Sequence, residues 1–324
     1  MLCRRKFLIT GAAIALGLGA TARAWAQAYP VRPIKLIVPF PPGGPVDVMG
    51  RLVAQQLSSV LGQQVIIDNR PGVGSTLGGR AAANAEPDGY TLLVGSSGTL
   101  AAGPVLYKNI GYDPNKAFAP VAMVSSVPFV LIAGPQVPAA TVPELIAYAK
   151  GHPGKLNFGV SLGAAPHMLA AWFRELTGTD IVIVPYKGAA TVVSDLIGGQ
   201  MDLTFETTSV MLEHLKAGTV RGLAVTTPER LPDLPQVPTM IESGVPGFVA
   251  GSWTGIVAPA GTPKEIIARL NAGINDGLNS ATMQARFKQL AAQARPGSPE
   301  DFAAFIGTEA PKWAAMARLI HIED

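Results

Sequence analysis

The sequence predicts an α/β protein of two domains, each built on a parallel sheet covered on both faces, and three observations carry that expectation. Short apolar runs of strand length alternate with segments of helical periodicity along nearly all of the chain. The alternation comes as two separate series, one closing near residue 94 and the next opening near residue 143. Two extended segments, 121–133 and 253–258, bracket the second series and read as crossings between the domains. A chain of 324 residues is also long enough for two cores.

The elements follow in order. Residues 34–38 (Ile-Lys-Leu-Ile-Val) form a buried strand, and a Pro/Gly loop over 39–45 leads out of it. Met49, Leu52, Val53, Leu57, Val60 and Leu61 then recur at helical spacing. Strands at 65–67 and 91–94 flank a helix over 77–84. In the second series a helix at 143–150 precedes a strand at 156–160, and Leu169, Trp172, Phe173 and Leu176 mark the next helix face. Strand 181–184, helix 191–197, strand 203–205, helix 210–216 and strand 221–225 complete it. Helices at 264–278, 282–291 and from 299 onward close the chain and are expected to pack back on the first domain.

The N-terminus reads as an export signal. Arg4, Arg5 and Lys6 precede an apolar stretch over 7–20, and Ala24-Trp25-Ala26 offers a small-x-small cleavage site. The stretch is short for a membrane span, although an uncleaved anchor is the competing reading. Arg4-Arg5 with Lys6-Phe7-Leu8 also resembles a twin-arginine signal, alongside the general export route. Cleavage after residue 26 removes four basic and no acidic residues, so the net charge moves from +3 to −1. That balance gives no reason to expect nucleic acid or an anionic membrane surface as a partner. Cys3, the one cysteine, leaves with the signal, so no disulfide is expected. His152, His167, His214 and His321 have no metal-ligand spacing, and neither metal nor cofactor is expected.

Ligands of open α/β sheets bind beyond the carboxyl ends of the strands, so the loops leaving those ends are the candidates. In the first, Pro-Phe40-Pro-Pro-Gly43-Gly44-Pro45-Val46-Asp47, Pro45 suits the first helical position and the glycines allow close backbone approach. The N–H groups of Val46 and Asp47 would then face out of a positive helix end, where a carboxylate fits without Lys or Arg. A rigid turn with no ligand competes. Ser96, Ser97 and Thr99 follow the third strand as hydroxyl donors, or as ordinary turn residues. Ser161, Gly163, Ala164 and His167 lie at the next strand-to-helix junction, with His167 as pocket wall, donor or plain surface residue.

That junction also matches the Gly-x-Ser-x-Gly elbow of serine hydrolases, which makes an exported hydrolase using Ser161 the runner-up. Only His214 and His321 follow Ser161 at any distance, and neither is expected on a loop after a strand. Tyr186 and Gly188 follow the next strand; Lys187 between them reads as solvated. Glu206 ends the strand after that, as an acceptor from a ligand hydroxyl or amine, or as a residue favoured at a helix start. The run Gly72-Val73-Gly74-Ser75-Thr76-Leu77-Gly78 is one residue too long for a dinucleotide fingerprint. A third class, a structural or interaction domain, predicts no cleft at all.

Several short segments, in order along nearly the whole chain, resemble the substrate-binding proteins of tripartite tricarboxylate transporters, the Bug or TctC family. They include Val38-Pro39-Phe40-Pro41-Pro42-Gly43-Gly44, Asp68-Asn69-Arg70-Pro71-Gly72, Pro87-Asp88-Gly89-Tyr90-Thr91-Leu92-Leu93, Gly198-Gly199-Gln200-Met201-Asp202, Arg221-Gly222-Leu223-Ala224-Val225 and Trp253-x-Gly255. The resemblance implies a type II periplasmic-binding-protein fold: two Rossmann-like lobes joined by a hinge of crossing strands, with lobe 1 over 27–127 plus 252–324 and lobe 2 over 128–251. It implies a small carboxylate, or a related small organic solute, held between the lobes without catalysis. Residues Phe40 to Asp47 with Ser96, Ser97 and Thr99 would serve from one lobe. Ser161, Gly163, Ala164, His167, Tyr186, Gly188 and Glu206 would serve from the other, Glu206 standing where such proteins often carry Asp. The implied setting is the periplasm, with a monomer delivering its ligand to the membrane subunits of a transporter.

Overall fold

A computed structural model describes residues 29–107 and 109–320. The expected export signal at 1–26 and His321 lie outside the described residues.

Ten strands build the fold: β1 (Ile34–Val38), β2 (Val65–Asn69), β3 (Thr91–Ser96), β4 (Phe118–Ala133), β5 (Asn157–Ser161), β6 (Val182–Tyr186), β7 (Leu203–Thr207), β8 (Arg221–Val225), β9 (Gly251–Pro259) and β10 (Gln293–Ala294). On one side β1 pairs in parallel with both β2 and β3. The antiparallel β9 joins β3 to β4, and β10 pairs with β4 at Ser125 and Ser126. On the other side β5 pairs in parallel with β6 and β7, while β4 runs antiparallel to β7 and β8.

The long β4 therefore belongs to both halves. Its residues 118–128 pair with β9, and residues 129–133 pair with β7. The register shifts between Pro120 and Ala122 and again between Met123 and Ser125, two irregularities that bend a 16-residue strand. β9 lies alongside the first part of β4 in the first sheet, where the chain returns from the second half, and the parallel strands of each sheet end toward the cleft between the halves. The α/β class matches the alternating pattern, but the sheet is mixed and curled rather than purely parallel, because β4, β8, β9 and β10 add antiparallel pairs.

The cores are separate but bridged. The first sheet packs Ile34, Leu36 and Val38 against Met49, Val53 and Leu57 of helix Pro45–Leu61. In the second, Phe158, Phe173, Phe205 and Phe248 form a ring cluster, with Trp172 stacked on Phe248 at 4.3 Å. Helix Pro299–Ala317 touches both. Phe302 and Phe305 meet Trp253 edge-on, while Trp313 and Met316 join the buried cluster that holds Met168 and Phe173. It therefore packs on the first half, as expected, and on the second half as well. Val60 and Leu176, assigned to core faces by spacing, are about half exposed; each lies in the last turn of its helix.

Candidate functional site

The carboxyl ends of the parallel strands set up the site. Helices follow β1, β2, β5, β6 and β7, and none of those five starts is capped by a side chain. Helices Val142–Gly151, Ala281–Gln289 and Pro299–Ala317, which start elsewhere, are capped by Thr141, Ser280 and Ser298; Lys264–Leu278, which starts after Pro263, is not. The residues at those five N-cap positions are Gly44, Ser75, Ala164, Gly188 and Thr207. They leave peptide donors available at positive helix ends.

In the first loop a buried carboxylate holds the backbone from below. Asp47 accepts from the Gly43 amide at 2.9 Å, from Arg51 Nε at 2.8 Å and from Asn69 Nδ2 at 2.8 Å. Asn69, at the end of β2, also donates to Phe40 O at 3.1 Å. Burial alone would raise the Asp47 pKa, but these bonds outweigh it and hold the carboxyl below its ordinary range. Asp47 is thus a clamp for the loop rather than a side chain offered to a ligand. Val48 is the first residue whose amide closes onto the helix, at Gly44 O, which leaves the Val46 and Asp47 amides at the helix end.

The second junction is more fully engaged. Gly163 sits at φ +71, in the region Gly enters without steric cost, and its amide donates to His167 Nδ1 at 3.3 Å. The Ala164 amide donates to Ser161 O at 3.1 Å. Pro166 has no N–H, so Ala165 is the first-turn amide without a protein acceptor among the described residues. His167 is buried, and burial lowers its pKa, so the ring is neutral and its proton sits on Nε2.

A cleft of ≈ 470 Å³ joins the two junctions. Phe40, Val46, Ser96 and Ser97 line it from the first half, and Gly163 and Ala164 from the second. Ser75, Ser252 and Tyr107 add hydroxyls, and burial raises the Tyr107 pKa so that its phenol stays a donor. Leu106, Leu162, Met168 and prolines 39, 41 and 71 supply apolar wall. Among the described residues no Lys, Arg, His, Asp or Glu lines it.

The other sequence candidates lie outside that wall. Thr99 is fully buried and exchanges bonds with Ser96, taking its amide at 2.8 Å. Tyr186 donates to Asp195 at 2.7 Å, and burial followed by Asp195 raises its pKa. Gly188 caps the helix that follows, and Lys187 is exposed as expected. Glu206 is buried, with Oε1 accepting from the Thr207 amide at 2.7 Å and its hydroxyl at 3.1 Å; burial nevertheless raises its pKa. Gly43 and Gly44 stand behind the cleft, shaping the loop that carries Val46.

Ser161 gains no support as a nucleophile. Among the described residues no histidine bonds to it, His167 Nδ1 is taken up by Gly163, and His214 sits beside Thr219. Sequence reading missed the 71–75 loop, Tyr107, Met168 and Ser252. The first had a signal: Gly72 to Gly78 is a small-residue run after a strand, set aside only because it fails as a nucleotide motif. Ser252 was legible too, one residue from the crossing-strand Trp253, whereas Tyr107 had no local mark.

The sequence profile described as "Tripartite tricarboxylate transporter family receptor" (TctC) matches residues 49–322. The chain is 40% identical over 302 residues to protein BugT of Bordetella pertussis, covering 93% of each. Among solved structures, an R. palustris protein with adipate is 37% identical with a TM-score of 0.77, covering 90% of this chain and 98% of that one. MatC from Rhodopseudomonas palustris, with bound malate, is 34% identical with a TM-score of 0.75, covering 89% of this chain and 100% of the other.

Proposed function

This chain belongs to the TctC family of tripartite tricarboxylate transporter receptors, and from that premise we propose that it captures a small carboxylate with an apolar body in the cleft between its two halves. The family's members are periplasmic solute receptors. The observation that carries the finer reading is a cleft that no charged side chain among the described residues lines, rimmed by helix starts that no side chain caps. One carboxylate end rests on the amides of Val46, Asp47 and Ala165 and on the hydroxyls of Ser96, Ser97 and Ser252. The rest of the ligand lies against Phe40, Leu106, Leu162 and Met168. Three closely spaced carboxylates suit such a site poorly, because each buried charge without a partner is costly.

Within that proposal, residues 27–127 with 252–324 form one lobe and 128–251 the other, and the lobes close on the ligand. Ser161, His167, Tyr186, Gly188 and Glu206 take part by shaping or approaching the cleft on closure. The chain is exported by cleavage after Ala26, acts as a monomer without catalysis, and presents its closed form to transporter membrane subunits. Calorimetric titration of the chain starting at Gln27 with adipate, benzoate, malate and citrate tests the ligand class. Adipate or benzoate is expected to bind at least about tenfold more tightly than citrate, the equivalent of about 1.4 kcal/mol. Preference for citrate would overturn the reading.

A further inference from the structure

Helix Pro299–Ala317 changes the half it packs on part-way along its length. In its early turns Phe302, Phe305 and Ile306 lie on the first half, with the cluster of Ile37, Leu93 and Val257. Phe302 fills the space that a Cβ on Gly255 would need, which seats these turns against β9. In its last turns Trp313, Met316 and Ala317 belong to a buried cluster whose members outside this C-terminal stretch come from residues 129–250, apart from Ala101 and Ala102. Lys312 Nζ donates to Val249 O at 2.9 Å, and the helix touches helix Ala165–Thr177 of the second half. This helix is therefore a third connection between the halves, after β4 and the return of the chain before β9.

The turn between the two stretches is weak as a helix. Pro311 stands inside it and has no N–H, so the Gly307 carbonyl loses its donor, and the proline ring crowds that same carbonyl. Proline is a leading cause of helix kinks. Gly307 weakens the same turn, glycine being the poorest helix former after proline. A groove of ≈ 320 Å³ runs along this face. Gly307, Ala310, Pro311 and Ala314 line it as one helical stripe, with Leu100, Pro104 and Val105 among the residues that complete it. Small side chains beside open space leave room for the helix axis to bend. Glu309 spans the break from the side, pairing with Lys312 through Oε1 and accepting from Trp313 Nε1 through Oε2 at 3.0 Å, so the two stretches stay joined across the missing backbone bond.

We propose that Gly307–Pro311 is a flexure: the helix bends there whenever the two halves change their angle, its early turns staying with the first half and its last turns with the second. Hinges of this kind are a few residues that absorb the change between two packed bodies. The last turns then travel with the second lobe, which amends the division of the lobes at residue 252. The proposal rests on the reading that the halves move relative to each other, and not on which solute the cleft takes.

The test uses the chain starting at Gln27, which has no cysteine, with spin labels at Ser59→Cys on the first half and Ser194→Cys on the second, both exposed positions. Double electron–electron resonance without added ligand reads the spread of distances between the halves. Pro311→Ala, also at an exposed position, returns an amide to Gly307 O and places the best helix former at the break. The distance distribution of Pro311→Ala should be narrower than that of the parent with the same labels. An unchanged or broader distribution would overturn the proposal. The readout needs no ligand, so it stands even if no acid binds the cleft.

Discussion

At the scale of single residues, two buried titratable groups make the protein's pH response legible. Burial lowers the His167 pKa, so the unfolded chain takes up a proton that the folded one resists. Stability from the neutral ring is full above the ordinary value of 6.5 and is lost as pH falls below it toward the lowered folded value. A protonated Nδ1 also cannot accept the Gly163 amide. His167→Asn, which keeps an acceptor and removes the titration, should therefore lose less thermal stability than the parent between pH 7 and pH 5; an equal loss would discount His167. Glu206 has the opposite sign. Burial raises its pKa above 4.5, so ionisation costs stability as pH rises from there through the folded value. Glu206→Gln should melt higher than the parent at pH 7, with the gain vanishing near pH 4. If Glu206 meets the ligand on closure, the same variant should bind the cleft ligand more weakly, a stability gained against function.

At the scale of elements, strand and helix alternation was open to sequence reading because period and burial agree almost everywhere. The crossing strand β4 was legible as an extended, largely apolar run, Val121 to Ala133, despite Ser125, Ser126 and Pro128 within it. The π-helical turn at Gly98–Ala102 was not: Thr99 and Ser96 satisfy each other there through side-chain bonds that no periodicity reports. The junction residues were readable as a class, Gly, Pro and Ser at strand ends, but which of their amides point into the cleft was not. Gly163 and Ala164 looked like donors to a ligand, yet their N–H groups are spent on His167 and Ser161 through contacts between neighbours in the same turn. The sequence offered the Asp47 amide to a ligand, but gave no mark of the separate role of its side chain, which ties the loop to β2. Glycine in β9 illustrates the same limit. A Cβ on Gly255 would come within 2.2 Å of the Phe302 ring and 2.8 Å of Ala122 O. Gly255→Ala should destabilise by about 1–3 kcal/mol in urea unfolding, as overpacking does; a neutral effect would mean that helix Pro299–Ala317 yields easily.

At the scale of the whole molecule, two sheets share the long strand β4, and helix Pro299–Ala317 packs on both halves. Binding between such halves favours the arrangement in which both touch the ligand. The cleft ligand should reduce the radius of gyration in small-angle scattering and, at 100 times its Kd, add about 2.7 kcal/mol of stability by mass action. A ligand that stabilises without compaction would place binding on one half alone.

The account as a whole depends on a carboxylate seated against helix starts that carry no cap of their own. Ala164→Asp addresses this directly, since an aspartate at that N-cap supplies the anion from the protein itself. By calorimetry with the tightest acid of the panel, the variant should bind about tenfold or more weakly, and its helix should gain up to about 1 kcal/mol from the new cap. Undiminished affinity in Ala164→Asp would show that the acid lodges elsewhere.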